Sequence, residues 1–374
     1  MYIKPFGVER WLSKYETKVG YNLTSTSIIP FSLNELLQLT GENEEEVKEA
    51  IFSLRLSYGD IKGNPAYLSG LASLYETITP QQVISTHGGV GASHLTMMTL
   101  IEPQDHVVAV LPAYQQIYSV PESIGATVDY LFMEQEDNYV IDLQRLEEMM
   151  SRKTKAIVFN NPNNPTGQVV SDEILRQMAD IARKYDAYLV CDEAYRGLAH
   201  TGFAASVADI YEKGVSLGSM SKAFAMAGLR LGWIATRDPW LIEAVEIHRD
   251  YTMISCGGLD EYIAGLALKH KDIVCNRNLG IVRQRVEMFN QWVENEPKLT
   301  CVLPQGGTVC LPHYESSLSS EDFCRRAIET QSVLLMPGSV FELDKCFRMG
   351  CAREPEPVFL EGLARVSSFL KSID

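Results

Sequence analysis

The sequence predicts an α/β protein with a mainly parallel central sheet flanked by helices, and three observations predict it. Short apolar or β-branched runs recur through the middle of the chain, and helical segments stand between most of them. Polar, chemistry-bearing residues follow directly after several of the runs, at what a parallel sheet makes a single edge. The length of 374 residues suits about two domains, and no repeat, low-complexity segment or Gly/Ser-rich linker separates them. Two domains must therefore be interleaved or tightly docked.

The runs are "HVVAVL" (106–111), "KAIVF" (155–159), "AYLVC" (187–191), "GVSLG" (214–218) and "GWIAT" (232–236), each expected as a buried strand. The helical pattern is clearest in "SDEILRQMADIARKYD", where Ser171 stands at a cap position and Ile174, Leu175, Met178 and Ile181 recur at helical spacing. Further on, "QGGTVCLP" from Gln305 and "MPGSVF" from Met336 carry strand and turn signals.

Composition removes several function classes. A formal net charge of -15 and a pI near 5.0 argue against a nucleic-acid or acidic-membrane surface. No apolar run approaches the ~20 residues of a membrane helix, and "MYIKPFGVERW" shows no basic segment followed by an apolar core, so the expectation is a cytoplasmic protein. The eight cysteines form no CxxC pair and the seven histidines no HExxH, so reduced, packing cysteines and no metal site are expected.

The ends of the runs bring varied chemistry to one edge. "VVAVL" leads into Pro112-Ala113-Tyr114, "AIVF" into "NNPNNPTG" with Asn164, "YLVC" into Asp192-Glu193-Ala194-Tyr195, and "GVSLG" into Ser219-Met220-Ser221-Lys222. Taken singly, each has an ordinary structural explanation. Asp192 suits a helix cap, Tyr114 suits packing, and the asparagine-proline loop suits a turn. "THGGVGASHL" is a glycine-rich turn opening a helix, able to hold a phosphate, but His94 stands where a dinucleotide fingerprint needs its third glycine. Lys222 and Arg230 are the sole charges between Lys213 and Arg237. Taken together, these residues specify a planar aromatic ligand with a protonated nitrogen, a phenolic oxygen, a phosphate and a carbonyl open to a lysine. Pyridoxal 5'-phosphate has all of these groups.

From about Tyr58 to Arg348 the motifs follow the order and spacing of a known family, and the chain resembles the class I/II aminotransferases of the aspartate aminotransferase superfamily. The resemblance implies the fold type I architecture of pyridoxal-phosphate enzymes, with a large domain over residues 36–275 and a smaller α+β domain from 1–35 and 276–374 that closes on substrate. It implies a Schiff base at Lys222 of "SMSKAF". Ser219, Ser221, Arg230 and the amides of Gly89 and Val90 would hold the phosphate. Tyr114 would stack on the ring, Asn164 and Tyr195 would bond its phenolic oxygen, and Asp192 would face its nitrogen. Arg348 of "CFRMGCA" would bind the substrate carboxylate. Tyr58 would be lent to the phosphate of a neighbouring subunit, so a homodimer with shared sites is implied.

The expected activity is transfer of an amino group from an L-amino acid to a 2-oxo acid, with Lys222, Asp192 and Tyr195 as the catalytic residues. An eliminating lyase or a cyclising enzyme would use the same residues. "TSTSIIPFSLNEL" and "IHRDYTMISCG" resemble the capreomycidine synthase subgroup, which closes a ring on a modified arginine. A ligand-sensing module of the same fold is disfavoured by the absence of a basic helix-turn-helix region, and a nicotinamide dehydrogenase by the incomplete glycine pattern. Two departures from the family stand out: Val90 replaces a small hydroxylated residue in the phosphate turn, and "NLTSTSIIPFSL" lacks the usual glycine-proline pattern. Arg249 is expected on a helix surface.

Overall fold

The computed structural model describes residues 2–373. Its central sheet has seven strands, β1 (Val83–His87), β2 (His106–Leu111), β3 (Thr127–Phe132), β4 (Thr154–Asn160), β5 (Tyr188–Asp192), β6 (Gly214–Ser219) and β7 (Leu231–Thr236). Their order across the sheet is β1-β7-β6-β5-β4-β2-β3, and β7 alone runs antiparallel to its neighbours. All five runs read from the sequence are strands of this sheet. The two unread strands are those at its ends, β1 and β3, and β3 shows the alternating exposure of an edge strand rather than a buried run.

Successive residues of β2 point to opposite faces, as the two-residue period requires. Val107, Ala109 and Leu111 pack with Leu95, Ile117 and Leu241 on one face, and Val108 and Val110 with Leu175 and Met178 on the other. Leu175 and Met178 belong to the helix Asp172–Lys184, whose Ser171 cap accepts the Ile174 amide at 3.3 Å. Helices thus cover both faces, which is what permits strands that are apolar throughout.

Pairing register aligns the strand ends. Asn160 pairs with Asp192 and Asp192 with Leu217, and the Asn161 amide donates to the Asp192 carbonyl at 3.0 Å. The loops after β4, β5 and β6 therefore leave the sheet side by side. The helix Gly88–Leu100 reaches the same edge because its first turn lies directly on β7. A Cβ at Gly232 would come within 2.3 Å of the Gly88 carbonyl carbon, and Gly88 itself has a φ of 70°.

A second core, away from the sheet, gathers Trp11, Leu23, Phe289, Phe323, Phe347 and Phe369 among others. The helix Lys271–Val293 runs between the two bodies of packing: Val274, Val282 and Val286 face the sheet-side core, while Phe289 and Val293 enter the second. Near this second core, Phe347–Gly350 lies antiparallel to Val309–Cys310 and to Met336–Pro337. The Gly350 amide donates to the Leu23 carbonyl at 2.7 Å, which fastens the N-terminal segment to the strand carrying Arg348.

Arg249 departs from expectation. It is 3% exposed rather than on a helix surface, because the end of its helix, Pro239–Asp250, packs inward and its charge acts on the buried Glu261. Among the described residues, no helix is long and apolar enough to cross a membrane, and no His/Cys/Asp/Glu cluster could hold a metal ion.

Candidate active site

The edge formed by the strand ends opens on a cavity of about 270 Å³. Gly89, Val90, Tyr114, Asn164, Asp192, Tyr195, Ser219, Ser221, Lys222, Arg230 and Arg348 all line it. Tyr58 does not. It is 77% exposed and lines a separate cleft with Met253 and Cys256.

One end of the cavity is a set of donors without a carboxylate. The first turn of the helix Gly88–Leu100 presents Gly89 and Val90 there, beside Ser219, Ser221 and Arg230. Gln116 steadies that turn by donating to the Val90 carbonyl at 2.9 Å. Side chains are crowded at its start: a Cβ on Gly89 would lie 3.1 Å from that of Ser219. Backbone N–H groups, a helix dipole, two hydroxyls and a guanidinium make this end complementary to a phosphate.

Lys222 occupies the middle. Its amine donates to Thr26 Oγ1 and lies 5.9 Å from the centroid of the Tyr195 ring. Burial, with the Arg348 charge, lowers its pKa to about 8 against the opposing pull of the Asp192 and Glu9 carboxylates. A substantial neutral fraction near neutral pH is what a nucleophilic amine requires. Asp192, at the end of β5, accepts the Ala194 amide at 3.0 Å. Burial raises its carboxyl above the usual range, with that amide and Lys222 opposing, so a cationic nitrogen would complete its pairing.

The far end is formed by residues from the second core and the N-terminal segment. Arg348 is 1% exposed, and among the described residues no carboxylate forms an ion pair with it. Its Nη1 donates to Asn164 Oδ1 at 3.0 Å and its Nη2 to the Thr24 carbonyl at 2.9 Å, while Nε has no partner. Burial lowers its pKa to about 10. An uncompensated buried guanidinium costs several kcal/mol, so an anion is the missing component. The Tyr195 hydroxyl is buried with no partner in hydrogen-bond geometry among the described residues, the Thr26 and Thr308 hydroxyls standing nearby, and burial pushes the phenol up to about 12. Tyr114 packs its ring on Phe6, with centroids 4.7 Å apart, and donates to Glu9 Oε1 at 2.9 Å.

These features fit pyridoxal phosphate part by part. The donor set matches its phosphate, the buried Asp192 carboxylate its ring nitrogen, the Tyr195 phenol its ring oxygen, and the Lys222 amine its aldehyde. The family model for aminotransferase class I and II matches residues 26–365. The chain belongs to that family. It is a pyridoxal-phosphate-dependent aminotransferase by fold and family. A solved pyridoxal-phosphate-dependent aminotransferase from Streptococcus suis superposes with a TM-score of 0.96 at 36% identity, covering 100% of this chain and 99% of that one. Capreomycidine synthase of Streptomyces vinaceus is 28% identical over 97% of this chain and 93% of its own length. An aspartate aminotransferase of Thermotoga maritima is 28% identical over 88% of each.

Sequence reasoning missed Glu9, Thr24, Thr26 and Gln116, all at or beside the cavity of this aminotransferase. Glu9 had a faint signal. In the helix Gly7–Tyr15 it follows buried Val8 and precedes buried Trp11, so it stands close to the apolar face rather than opposite it. Thr24 and Thr26 lie in the segment "NLTSTSIIPFSL" that stood out only by resemblance, and nothing local put them at the site, since the segment from Tyr21 is placed by pairing with Val333–Leu334, more than 300 positions away in the chain.

Proposed function

We propose that the aminotransferase moves the amino group of an L-amino acid to a 2-oxo acid, with Lys222 as the residue that carries the cofactor and moves the proton at the substrate α-carbon. One observation carries this reading: a lysine of lowered pKa stands between a phosphate-shaped donor set and a buried arginine lacking an anion, all in one cavity. When bound, pyridoxal phosphate supplies an aldehyde for amines and a ring that takes up the electron pair of the α-carbon.

The chain's own residues do the rest. Gly89, Val90, Ser219, Ser221 and Arg230 would hold the phosphate, and Asp192 would keep the ring nitrogen protonated. Asn164 and Tyr195 would bond the phenolic oxygen, and Tyr114 would cover the ring. Arg348 binds the α-carboxylate, its fork already oriented by Asn164 and Thr24. Lys222 would be the base that takes and returns the proton of the substrate α-carbon. Thr26 holds its amine in place for that transfer.

Ring closure is the second reading, supported by the capreomycidine synthase match across nearly the whole chain. The two separate in a single turnover of cofactor-loaded enzyme with amino acid and no acceptor. Amino transfer yields one equivalent of 2-oxo acid per site with the nitrogen retained, whereas ammonia or a cyclic product would rule it out.

We also propose that residues 1–35 and 276–374 close on substrate as a unit and that two chains share their sites through Tyr58. Tyr58, Phe52, Leu56 and Tyr251 are exposed apolar residues, and Met253, in the Tyr58 cleft, comes within 3.8 Å of a Cβ position on Gly91 of the phosphate-facing helix. A monomer in equilibrium sedimentation would exclude the sharing. A cytoplasmic location agrees with eight cysteines and no disulfide, and cell fractionation tests it.

A further inference from the structure

The sheet has a second edge, opposite the one that opens on the candidate active site. Residues that precede or open β2, β4, β5 and β6, and those that follow the antiparallel β7, meet there around a cavity of about 630 Å³. That is more than twice the 270 Å³ of the first cavity, and within the size range of small-molecule sites. Tyr188 opens β5 and Asp192 ends it, four residues on, so about 13 Å of strand separates the two cavities. None of the residues given a part with cofactor or substrate lines the second one.

Within β4, β5, β6 and β7, Asp192 and Lys155 are the residues that carry a charge. Asp192 lies at the first edge and faces the cofactor cavity. Lys155 lies at the second, half-buried. Aromatic rings stand beside it: its Nζ is 5.7 Å from the centroid of Trp240 and 6.0 Å from that of Tyr188. Among the described residues it has no ion pair and no hydrogen-bond acceptor, and a half-buried ammonium in that position lacks an anion.

The carboxylates of the same lining are engaged elsewhere. Asp186 pairs with Lys213 at 2.6 Å, and Asp105 accepts the Glu102 amide at 2.8 Å. Asp238 accepts the Tyr188 hydroxyl at 2.6 Å and caps its helix through the Trp240 amide at 2.9 Å. Arg152, Lys153 and Lys155, three cations within four positions, form no ion pair among the described residues. Trp240 is 52% exposed, so its indole is open at the rim of the same cavity. In a chain of net charge -15, an opening whose unmatched charge is positive stands apart from the rest of the molecule.

We propose that this edge binds a nucleoside di- or triphosphate, with the base stacked on Trp240 and the phosphates on Lys155, Arg152 and Lys153. Unmatched cations call for a ligand of more than one negative charge, and the open indole beside them calls for a flat ring on the same molecule. A compact anion would leave the indole uncovered. A neutral aromatic molecule would leave the cations unanswered. A polynucleotide is opposed by the overall negative charge. The site does not depend on which reaction the other edge carries out.

The test is equilibrium dialysis of labelled ADP and ATP against cofactor-loaded enzyme, whose own phosphate subsite is then filled, in phosphate-free buffer at ~0.15 M ionic strength. Binding should saturate at about one nucleotide per chain, with ADP at least ~10-fold tighter than pyrophosphate or adenosine alone. Lys155→Gln, which keeps the length of the side chain in the strand, and Trp240→Ala should each weaken ADP by about fivefold or more. Arg152→Ala should weaken it less, because its side chain is exposed. Lys48→Ala, on the exposed helix Glu44–Ser53, should leave it unchanged. Amino-transfer turnover without nucleotide should be the same in Lys155→Gln as in wild type, which shows that the sheet is intact. The proposal is overturned by the absence of saturable ADP or ATP binding, or by pyrophosphate binding as tightly as ADP, which would mean a general anion patch. Capture of an acidic peptide such as polyglutamate in preference to nucleotide, or equal ADP affinity in wild type and Lys155→Gln, overturns it as well.

Discussion

The two walls of the cavity are built in different ways. The wall bearing Asp192, Ser219 and Lys222 consists of strand ends locked by sheet pairing, with Asn160, Asp192 and Leu217 in lateral register. The facing wall, with Glu9, Thr24, Thr26 and Arg348, comes from segments far apart in the chain that meet only at the second core. The division has a chemical counterpart. In the function proposed above, the residues that would act on the cofactor lie mostly on the rigid wall, and Arg348, which would hold the substrate's carboxylate, lies on the wall assembled by distant contacts. If that division holds, substitutions on the sheet side remove chemistry, and substitutions opposite change affinity.

The largest effect belongs to Lys222. Lys222→Ala should lower turnover by about 10³-fold or more, because in the proposed function one residue supplies both the covalent attachment and the proton transfer. Borohydride reduction followed by peptide mass analysis should place the cofactor on the Lys222 peptide, and label on another lysine would sink the assignment. The lowered pKa adds a pH signature. The amine attacks only when neutral, so attachment of pyridoxal phosphate to the apoprotein should quicken with pH and level off above about 8. A rate still climbing toward 10.5, the ordinary lysine value, would show that burial does not act as described.

The same contrast explains what was legible in the sequence. β2, β4, β5, β6 and β7 could be read because strands covered on both faces are apolar throughout, and the site residues after them follow from the rule for parallel sheets. β1, "VISTH", is a buried strand written partly in hydroxyl residues, and β3 is an edge strand, so neither carries that signal. On the facing wall, Arg348 was legible only through resemblance, since nothing local to "CFRMG" says that its side chain will meet Asn164 and Thr24. Thr26 reaches Lys222 across 196 positions, a contact that no local pattern encodes. Arg249 was misplaced for a related reason: its neighbour Glu261 comes from a different helix, Gly258–Lys269, and the pair is buried by packing that the Arg249 helix alone does not specify.

An intermediate effect is expected at Arg348. Arg348→Lys keeps the charge but loses the planar fork that reaches Asn164 and Thr24 together. The value of kcat/KM for amino acids should fall by about 10²-fold, chiefly through KM, with cofactor retention unchanged. A fall confined to kcat would move Arg348 to the chemical wall and break the comparison.

The smallest effect, and the sharpest in sign, concerns Tyr195, which sits where the walls meet. Its hydroxyl is buried with no partner in hydrogen-bond geometry, Thr26 and Thr308 only standing nearby, so Tyr195→Phe removes no well-formed hydrogen bond from the apoprotein and relieves a poorly paired polar group. The apoprotein should therefore be as stable as wild type or more so, by up to about 1 kcal/mol, whereas the loaded enzyme should release cofactor several-fold faster. A tyrosine placed only for packing would leave cofactor release unchanged. The phenol's ionisation gives a further check with a definite sign. With the folded pKa raised from 10.0 to about 12, the folded state holds a proton that the unfolded state gives up, so Tyr195 costs wild-type apoprotein stability as pH rises through that window. The advantage of Tyr195→Phe over wild type should then widen above pH 10 in denaturant titrations of the two apoproteins. A gap that stays constant with pH would mean that the hydroxyl is solvated or paired, and that it does not wait, unpartnered, for the oxygen of the cofactor.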